Sequence, residues 1–132
     1  MARARKRTDR GKTPRVEFLQ MDAAQLAFPD GAFDAVYVPY TINVLPDPVA
    51  AGRELVRVCR QGGRIVFLNH FDGIPETSNA INAIAGRAAK AFDVNWHLHA
   101  GRFVRELGVS LVAVESVNVP RLSSIVLCRN ER

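Results

Sequence analysis

Apolar and polar positions alternate in short blocks along the chain, and the blocks change period as they go. Val16-Glu-Phe-Leu-Gln20 is a short β-type run that leads into Met21-Asp22-Ala23, and it predicts a first strand over residues 16–20. Residues 23–26 have room for one helical turn at most, and Phe28-Pro-Asp-Gly31 carries the turn signature Pro-Asp-Gly. Phe33-Asp-Ala-Val-Tyr-Val-Pro39 follows as a second strand. Its apolar residues fall on both faces, as a strand covered by helices on two sides requires.

The period then changes to that of a helix. Asp47 is an acidic cap before Pro48 at the first helical position, and Gly62 supplies a stop after Arg60 and Gln61. Ala51, Leu55, Val58 and Cys59 share one face, while Arg53, Glu54, Arg57 and Arg60 fall largely on the other, predicted to face solvent. Arg64-Ile-Val-Phe-Leu-Asn69 is a third strand, so strand, helix and strand make a right-handed parallel crossover. From Pro75 onward Ile81, Ile84, Ala88 and Phe92 recur at helical spacing, and a shorter helix over 99–107 stops at Gly108. Two β-rich runs, 110–119 and 123–129, are joined so closely through Pro120-Arg121 that they should pair antiparallel.

Charge changes the picture only at one end. The 132 residues carry a net +5, but residues 1–15 hold seven basic groups against Asp9, a net of +6, and the remainder is at −1. A basic tail over 1–15 therefore precedes a nearly neutral domain over 16–132. That distribution disfavours a nucleic-acid surface, and no specific nucleic-acid partner is expected. Cys59 and Cys128 match no metal or disulfide pattern and read as buried thiols of a cytoplasmic protein. His97 and His99 have no third ligand beside them, so no metal site is expected. No apolar run approaches the roughly 20 residues of a membrane span.

In an open α/β sheet, ligands bind beyond the carboxyl ends of the parallel strands. Three sets of residues sit there: Asp22 and Ala23; Tyr40 and Thr41; Asn69, His70 and Phe71. Asp22 can accept the exocyclic amine proton of an adenine beside Ala23, with Leu26 or Tyr40 against the ring, or it can simply cap its own turn. His70 can act as a base, or its ring can bond to backbone. Trp96 can shape a substrate pocket, rest at a lipid headgroup layer, or pack in the core.

The run from Val16 to Phe71 resembles a class I S-adenosylmethionine-dependent methyltransferase of the type 11 domain group. The likeness lies in Asp22-Ala23, Leu26-Ala-Phe-Pro-Asp-Gly-Ala-Phe-Asp-Ala-Val36, Pro46-Asp-Pro48, Arg53-Glu-Leu-Val-Arg-Val58 and Gly62-Gly-Arg-Ile-Val66. With Val44-Leu-Pro-Asp-Pro48 and Asn69-His-Phe71, it is most similar to the bacterial phosphatidylethanolamine N-methyltransferases. The resemblance implies an α/β fold: a partial Rossmann-like methyltransferase sheet, mainly parallel with one antiparallel C-terminal strand, lacking the first two strands. The family's Gly-x-Gly turn and ribose-binding acid belong to the portion preceding this stretch, so the chain is expected to be N-terminally truncated. Its sheet would then either close with residues 16–20 beside residues 33–39, giving five strands, or keep an open edge that invites self-association or a partner chain.

The resemblance also implies S-adenosyl-L-methionine as cofactor, bound by Asp22, Ala23, Leu26, Tyr40 and Thr41. The substrate would be a small molecule or a phospholipid headgroup amine, with peripheral membrane contact, and a quinone precursor is the alternative acceptor. A non-catalytic fragment or subunit is the alternative from another class. Methyl transfer depends mainly on positioning. An amine with a pKa of about 10.4 must still lose a proton, which costs about 4.6 kcal/mol at pH 7. His70 is the candidate base and Tyr40 the candidate polar positioner.

Overall fold

The computed structural model describes residues 16–71, 98–117 and 123–132. Within them four strands form one sheet: β1 (Phe33–Pro39), β2 (Cys59–Asn69), β3 (Ser110–Val117) and β4 (Ser123–Arg129), in the order β1-β2-β4-β3. β1 and β2 run parallel, and β4 is antiparallel to both of its neighbours, β2 and β3. One strand therefore opposes the rest, as expected. The helix expected from Pro75 onward, Trp96, His97 and the basic tail lie outside the described residues.

The crossover between β1 and β2 is helix α1 (Pro48–Val58), and α2 (Ala100–Leu107) precedes β3. Asp47 caps α1 as its sequence position predicts, its Oδ1 accepting from Val49 N–H at 3.0 Å and Ala50 N–H at 2.9 Å. Gly108 ends α2 at φ 67°. Phe67 of β2 meets Phe103 of α2 edge to face, ring centroids 5.2 Å apart. Around that pair Ile65, Leu107, Val58, Ile42, Val126 and Cys128 are all at most 1% exposed. Both thiols are buried, and burial pushes Cys128 up to about 11 and Cys59 above its ordinary value.

Three expectations are corrected. Residues 16–20 form no strand: Val16 and Leu19 are 48% and 56% exposed, and none of the five joins the described sheet. Extended backbone becomes a strand only when a neighbour takes its hydrogen bonds, so composition alone could not secure it. Of the two sheets foreseen, the open one is formed, and most of β1 is exposed rather than covered on both faces. Among the described residues no strand lies on the outer side of β1, and its first residue, Phe33, lines a hollow of about 600 Å³ with Glu17, Leu19, Met21 and Phe28.

The second correction is the end of α1, which stops at Val58 rather than at Gln61. Asn130 takes over there: its Nδ2 donates to Val56 O at 3.1 Å and to Cys59 O at 2.7 Å. Val56 O also accepts from the Cys59 N–H, so the Asn130 amide adds a second bond at the helix end and ties the chain after β4 to it. The chain then bulges, since Phe33 pairs with Cys59 and Ala35 with Arg64. Gly62 accommodates the bulge at φ 71°, and a side chain at Gly63 would come within 2.7 Å of Arg60 O.

The third concerns Glu54 and Arg57, read as a solvent face. Their side chains are only 16% and 32% exposed, and they clamp the segment after Asp22 to α1. Arg57 grips Glu54 through two parallel bonds, Nε to Oε2 at 2.9 Å and a terminal nitrogen to Oε1 at 2.6 Å. The same guanidinium donates to Leu26 O at 3.0 Å, Phe28 O at 2.9 Å and Asp30 Oδ1 at 2.6 Å. Glu54 Oε1 accepts from Leu26 N–H at 2.8 Å, and Gly31 N–H reaches Arg57 O at 2.9 Å. Arg57 holds the Glu54 carboxyl below its ordinary range, and Leu26 N–H adds to this. Hydrogen bonds to Glu54 and Asp30 in turn raise Arg57.

Because the folded state lowers the Glu54 pKa, its contribution to stability is present above the unfolded carboxyl value, about 4.3, and fades as pH falls through the lower folded value. Glu54→Gln is therefore expected to lower the urea midpoint at pH 7 and to cost less at pH 3. Urea titrations at both pH values check this, and a deficit that is equal at both would contradict it.

Candidate functional site

One group of candidate side chains lies on the segment before β1 that Arg57 holds, and a second lies at the sheet end where β1 and β2 finish and β4 begins. The segment supplies Asp22 and Ala23. Asp22 Oδ1 accepts from Ala24 N–H at 2.9 Å, and its carbonyl accepts from Gln25 N–H at 3.1 Å, closing a tight turn. The turn-capping reading of Asp22 thus holds, and it leaves capacity over, since a carboxylate has about four acceptor positions. Asp22 is exposed, Leu26 is half-buried, and Ala23 packs against the apolar core. Both backbone polar groups of Leu26 are engaged by Glu54 and Arg57. The adenine-type candidates therefore rest on a fixed loop.

The second group lies past the strand ends. Tyr40 follows β1 directly with φ 48°, an unusual value for a bulky residue that costs backbone energy. Its N–H donates to Leu68 O at 2.7 Å, which continues the β1–β2 ladder past Pro39 and holds the strained residue. Its ring stands 5.6 Å from that of His70 between centroids. The structure thus brings Tyr40 and His70 together. Thr41 Oγ1 donates to Pro39 O at 2.8 Å. Phe71 is 4% exposed and lies 6.3 Å from Phe103, a packing residue.

Three polar residues in this group were not foreseen. Asn43, on a single 3-10 turn (Ile42–Val44), donates through Nδ2 to His70 O at 2.7 Å. Ser123 Oγ lies 3.3 Å from Tyr40 Oη and 3.3 Å from His70 Nδ1. Ser124 pairs in register with Asn69. All three are at most 3% exposed, and Asn43 Oδ1 and Ser124 Oγ have no hydrogen-bond partner. Buried polar atoms left unpaired are rare and cluster where a structure serves something other than its own stability. An antiparallel strand starts where its neighbours end, so Ser123 and Ser124 arrive at the same place from the opposite direction. The one signal in the sequence was a polar pair opening an otherwise apolar run. Among the described residues no group of three or more His, Cys, Asp or Glu is placed to hold a metal ion, and no described helix is long and apolar enough to cross a membrane.

Comparison with known proteins adds the lineage of this arrangement. A family model described as a methyltransferase domain matches residues 1–67. A phosphatidylethanolamine N-methyltransferase of Cereibacter sphaeroides is 44% identical over 72 residues, 54% of this chain and 36% of that protein. A ubiquinone/menaquinone biosynthesis C-methyltransferase of Pseudomonas putida is 32% identical over 96 residues, 73% of this chain and 35% of that protein. These alignments span little more than a third of the curated relatives. Among solved structures, a SAM-dependent methyltransferase from Aquifex aeolicus superposes with a TM-score of 0.67 at 15% identity, covering 96% of this chain and 61% of its own. A chain of the complex containing the Haloferax volcanii Trm112 methyltransferase activator gives 0.78 at 16% identity, covering 99% and 67%. With the family model matching just over half of its length, the chain belongs to the methyltransferase domain family, the class I S-adenosylmethionine-dependent methyltransferases.

Proposed function

We propose that this chain serves transfer of a methyl group from S-adenosyl-L-methionine to an amine nitrogen on a phospholipid headgroup of the phosphatidylethanolamine kind. The observation that carries the reading is the pairing of Tyr40 with His70 at the sheet end, in a chain whose 44% identical relative is a phosphatidylethanolamine N-methyltransferase. A nitrogen acceptor needs deprotonation, and these are the two groups that could assist it.

The described residues fit one end of the cofactor. Asp22 offers a carboxylate, already oriented by the Ala24 N–H, to an exocyclic amine. Leu26 offers a half-buried apolar side chain on a backbone fixed at both its polar groups, and Tyr40 offers a ring that is 45% exposed. Ala23 keeps the turn small against the core, and Thr41 contributes the backbone beside Tyr40. When bound, the cofactor supplies a methyl group on sulfonium sulfur, already activated for in-line displacement. Tyr40 then orients the acceptor nitrogen, and His70 takes the proton that nitrogen must shed. Work on such a substrate takes place in the cytoplasm with peripheral contact at a membrane.

The test is transfer of tritiated methyl from S-adenosylmethionine into vesicles containing phosphatidylethanolamine. Label in the lipid is expected, and His70→Gln should lower the rate about 10²- to 10⁴-fold, the usual contribution of a general base. Label in a demethylated quinol but not in the lipid would move the acceptor to the class named for the Pseudomonas putida relative. Label in neither would overturn autonomous transfer.

A second reading is favoured by the outer edge of β1, beside which no described strand lies: the chain completes its sheet with another polypeptide, a second copy or a partner. Tyr37 and Phe33 of this strand are 60% and 37% exposed, an apolar strand with ladder groups to offer. Sedimentation velocity should then show concentration-dependent association that Val36→Pro, placed in β1, suppresses. A single monomeric species throughout the micromolar range would argue against it.

A further inference from the structure

Ser123 opens β4, is 2% exposed, and places its Oγ 3.3 Å from both Tyr40 Oη and His70 Nδ1. A serine hydroxyl carries a single hydrogen and two lone pairs. Tyr40 Oη donates to Ser123 Oγ, which leaves the serine's own hydrogen for a second acceptor, and His70 Nδ1 stands within reach at 3.3 Å. The exposures have an order as well: Tyr40 is 45% exposed, His70 is intermediate, and Ser123 is closed off from solvent. A substrate can therefore touch Tyr40 without touching Ser123.

We propose that Ser123 is a positioning residue that joins Tyr40 to His70 in a proton relay, fixing neutral His70 with its hydrogen on Nε2 and its Nδ1 lone pair toward the serine. The proposal rests on the reading above that the acceptor is an amine. In the relay the N–H bond of the bound ammonium group breaks and its proton passes to Tyr40 Oη. The tyrosine hydrogen moves to Ser123 Oγ, and the serine hydrogen moves to His70 Nδ1. Tyr40 and Ser123 end neutral, His70 ends as an imidazolium, and the electron pair stays on the nitrogen, which is left as a neutral amine able to attack.

The neighbouring residues keep this line of three in register. Asn43 Nδ2 holds the His70 carbonyl at 2.7 Å, and the Tyr40 N–H is held by Leu68 O at 2.7 Å. Asn69, in β2, pairs with Ser124 across the ladder, which sets Ser123 one residue beyond the last pair. Tyr40 at φ 48° then directs its hydroxyl across the end of β2 toward β4, a span that a residue continuing the strand geometry of β1 would not make.

Imidazole tautomers read by long-range ¹H–¹⁵N correlation test the relay without cofactor or substrate. The chain is ¹⁵N-labelled, the signals of its three histidines are assigned with His70→Gln, and spectra are taken above the imidazole titration range. Wild-type His70 is expected as the Nε2–H tautomer. Ser123→Ala should raise the Nδ1–H share about fivefold, the ratio that one ordinary hydrogen bond is worth. Ser123→Thr keeps a hydroxyl and should retain the wild-type ratio, which separates loss of the relay from loss of the fold. His70 protonated on Nδ1 in the wild type, or an unchanged ratio in a folded Ser123→Ala variant, would overturn the proposal. Because this readout needs no methyl donor, its failure would leave the proposed reaction standing. Failure of methyl transfer with the expected tautomers would count against the reaction instead.

Discussion

The bidentate contact between Arg57 and Glu54 is the constraint on which the candidate cofactor loop depends. A loop of ten residues that follows no strand has little reason to keep one conformation, because fixing each residue costs about 1–2 kcal/mol of conformational entropy. Here two side chains on a single helical face engage the loop at Leu26, Phe28 and Asp30. The contact is partly shielded from water, so it is stronger than an open surface pair. It fixes Leu26, three residues after Ala23, even though residues 16–20 join no described sheet. The helix thus does two jobs: its apolar face packs on the sheet, and its charged face holds the loop.

The other half of the site follows from strand direction. Parallel β1 and β2 deliver Tyr40 and His70 to one end of the sheet, and the reversal of β4 delivers Ser123 and Ser124 to that same end. A fully parallel sheet would have carried these serines to the opposite end. Asn43, Ser123 and Ser124 are buried there, and among the described residues Asn43 Oδ1 and Ser124 Oγ have no hydrogen-bond partner, a cost the apolar core around Phe67 and Phe103 offsets.

What was legible in the sequence sorts by the range of the interaction that decides it. The Asp47 cap, the Gly31 turn, the Gly108 stop and the antiparallel pairing of β3 with β4 are settled within a few residues, and the sequence states them directly. The end of α1 is decided by Asn130, which lies more than seventy residues away, so no local signal marks it. The failure of residues 16–20 to form a strand likewise depends on neighbours that composition does not report. Glu54 and Arg57 looked like a solvated face because helical periodicity says which side is apolar, not whether a charged side meets a loop. Tyr40 and His70 fall past β1 and β2 because the strand-end rule is topological, whereas Ser123 opens an antiparallel strand and only long-range pairing brings it to the same end.

The central claim is that the loop pinned by Arg57 and the end of β1 form one border of a methyl-donor site. Backbone amide mapping with S-adenosylmethionine tests it most directly, since it reports binding residue by residue and does not require turnover. The account predicts shifts confined to residues 22–26 and 40–41, saturable at millimolar ligand and lost in Asp22→Ala. Shifts that map elsewhere on the sheet, or no shifts at millimolar ligand from a folded chain, would contradict it.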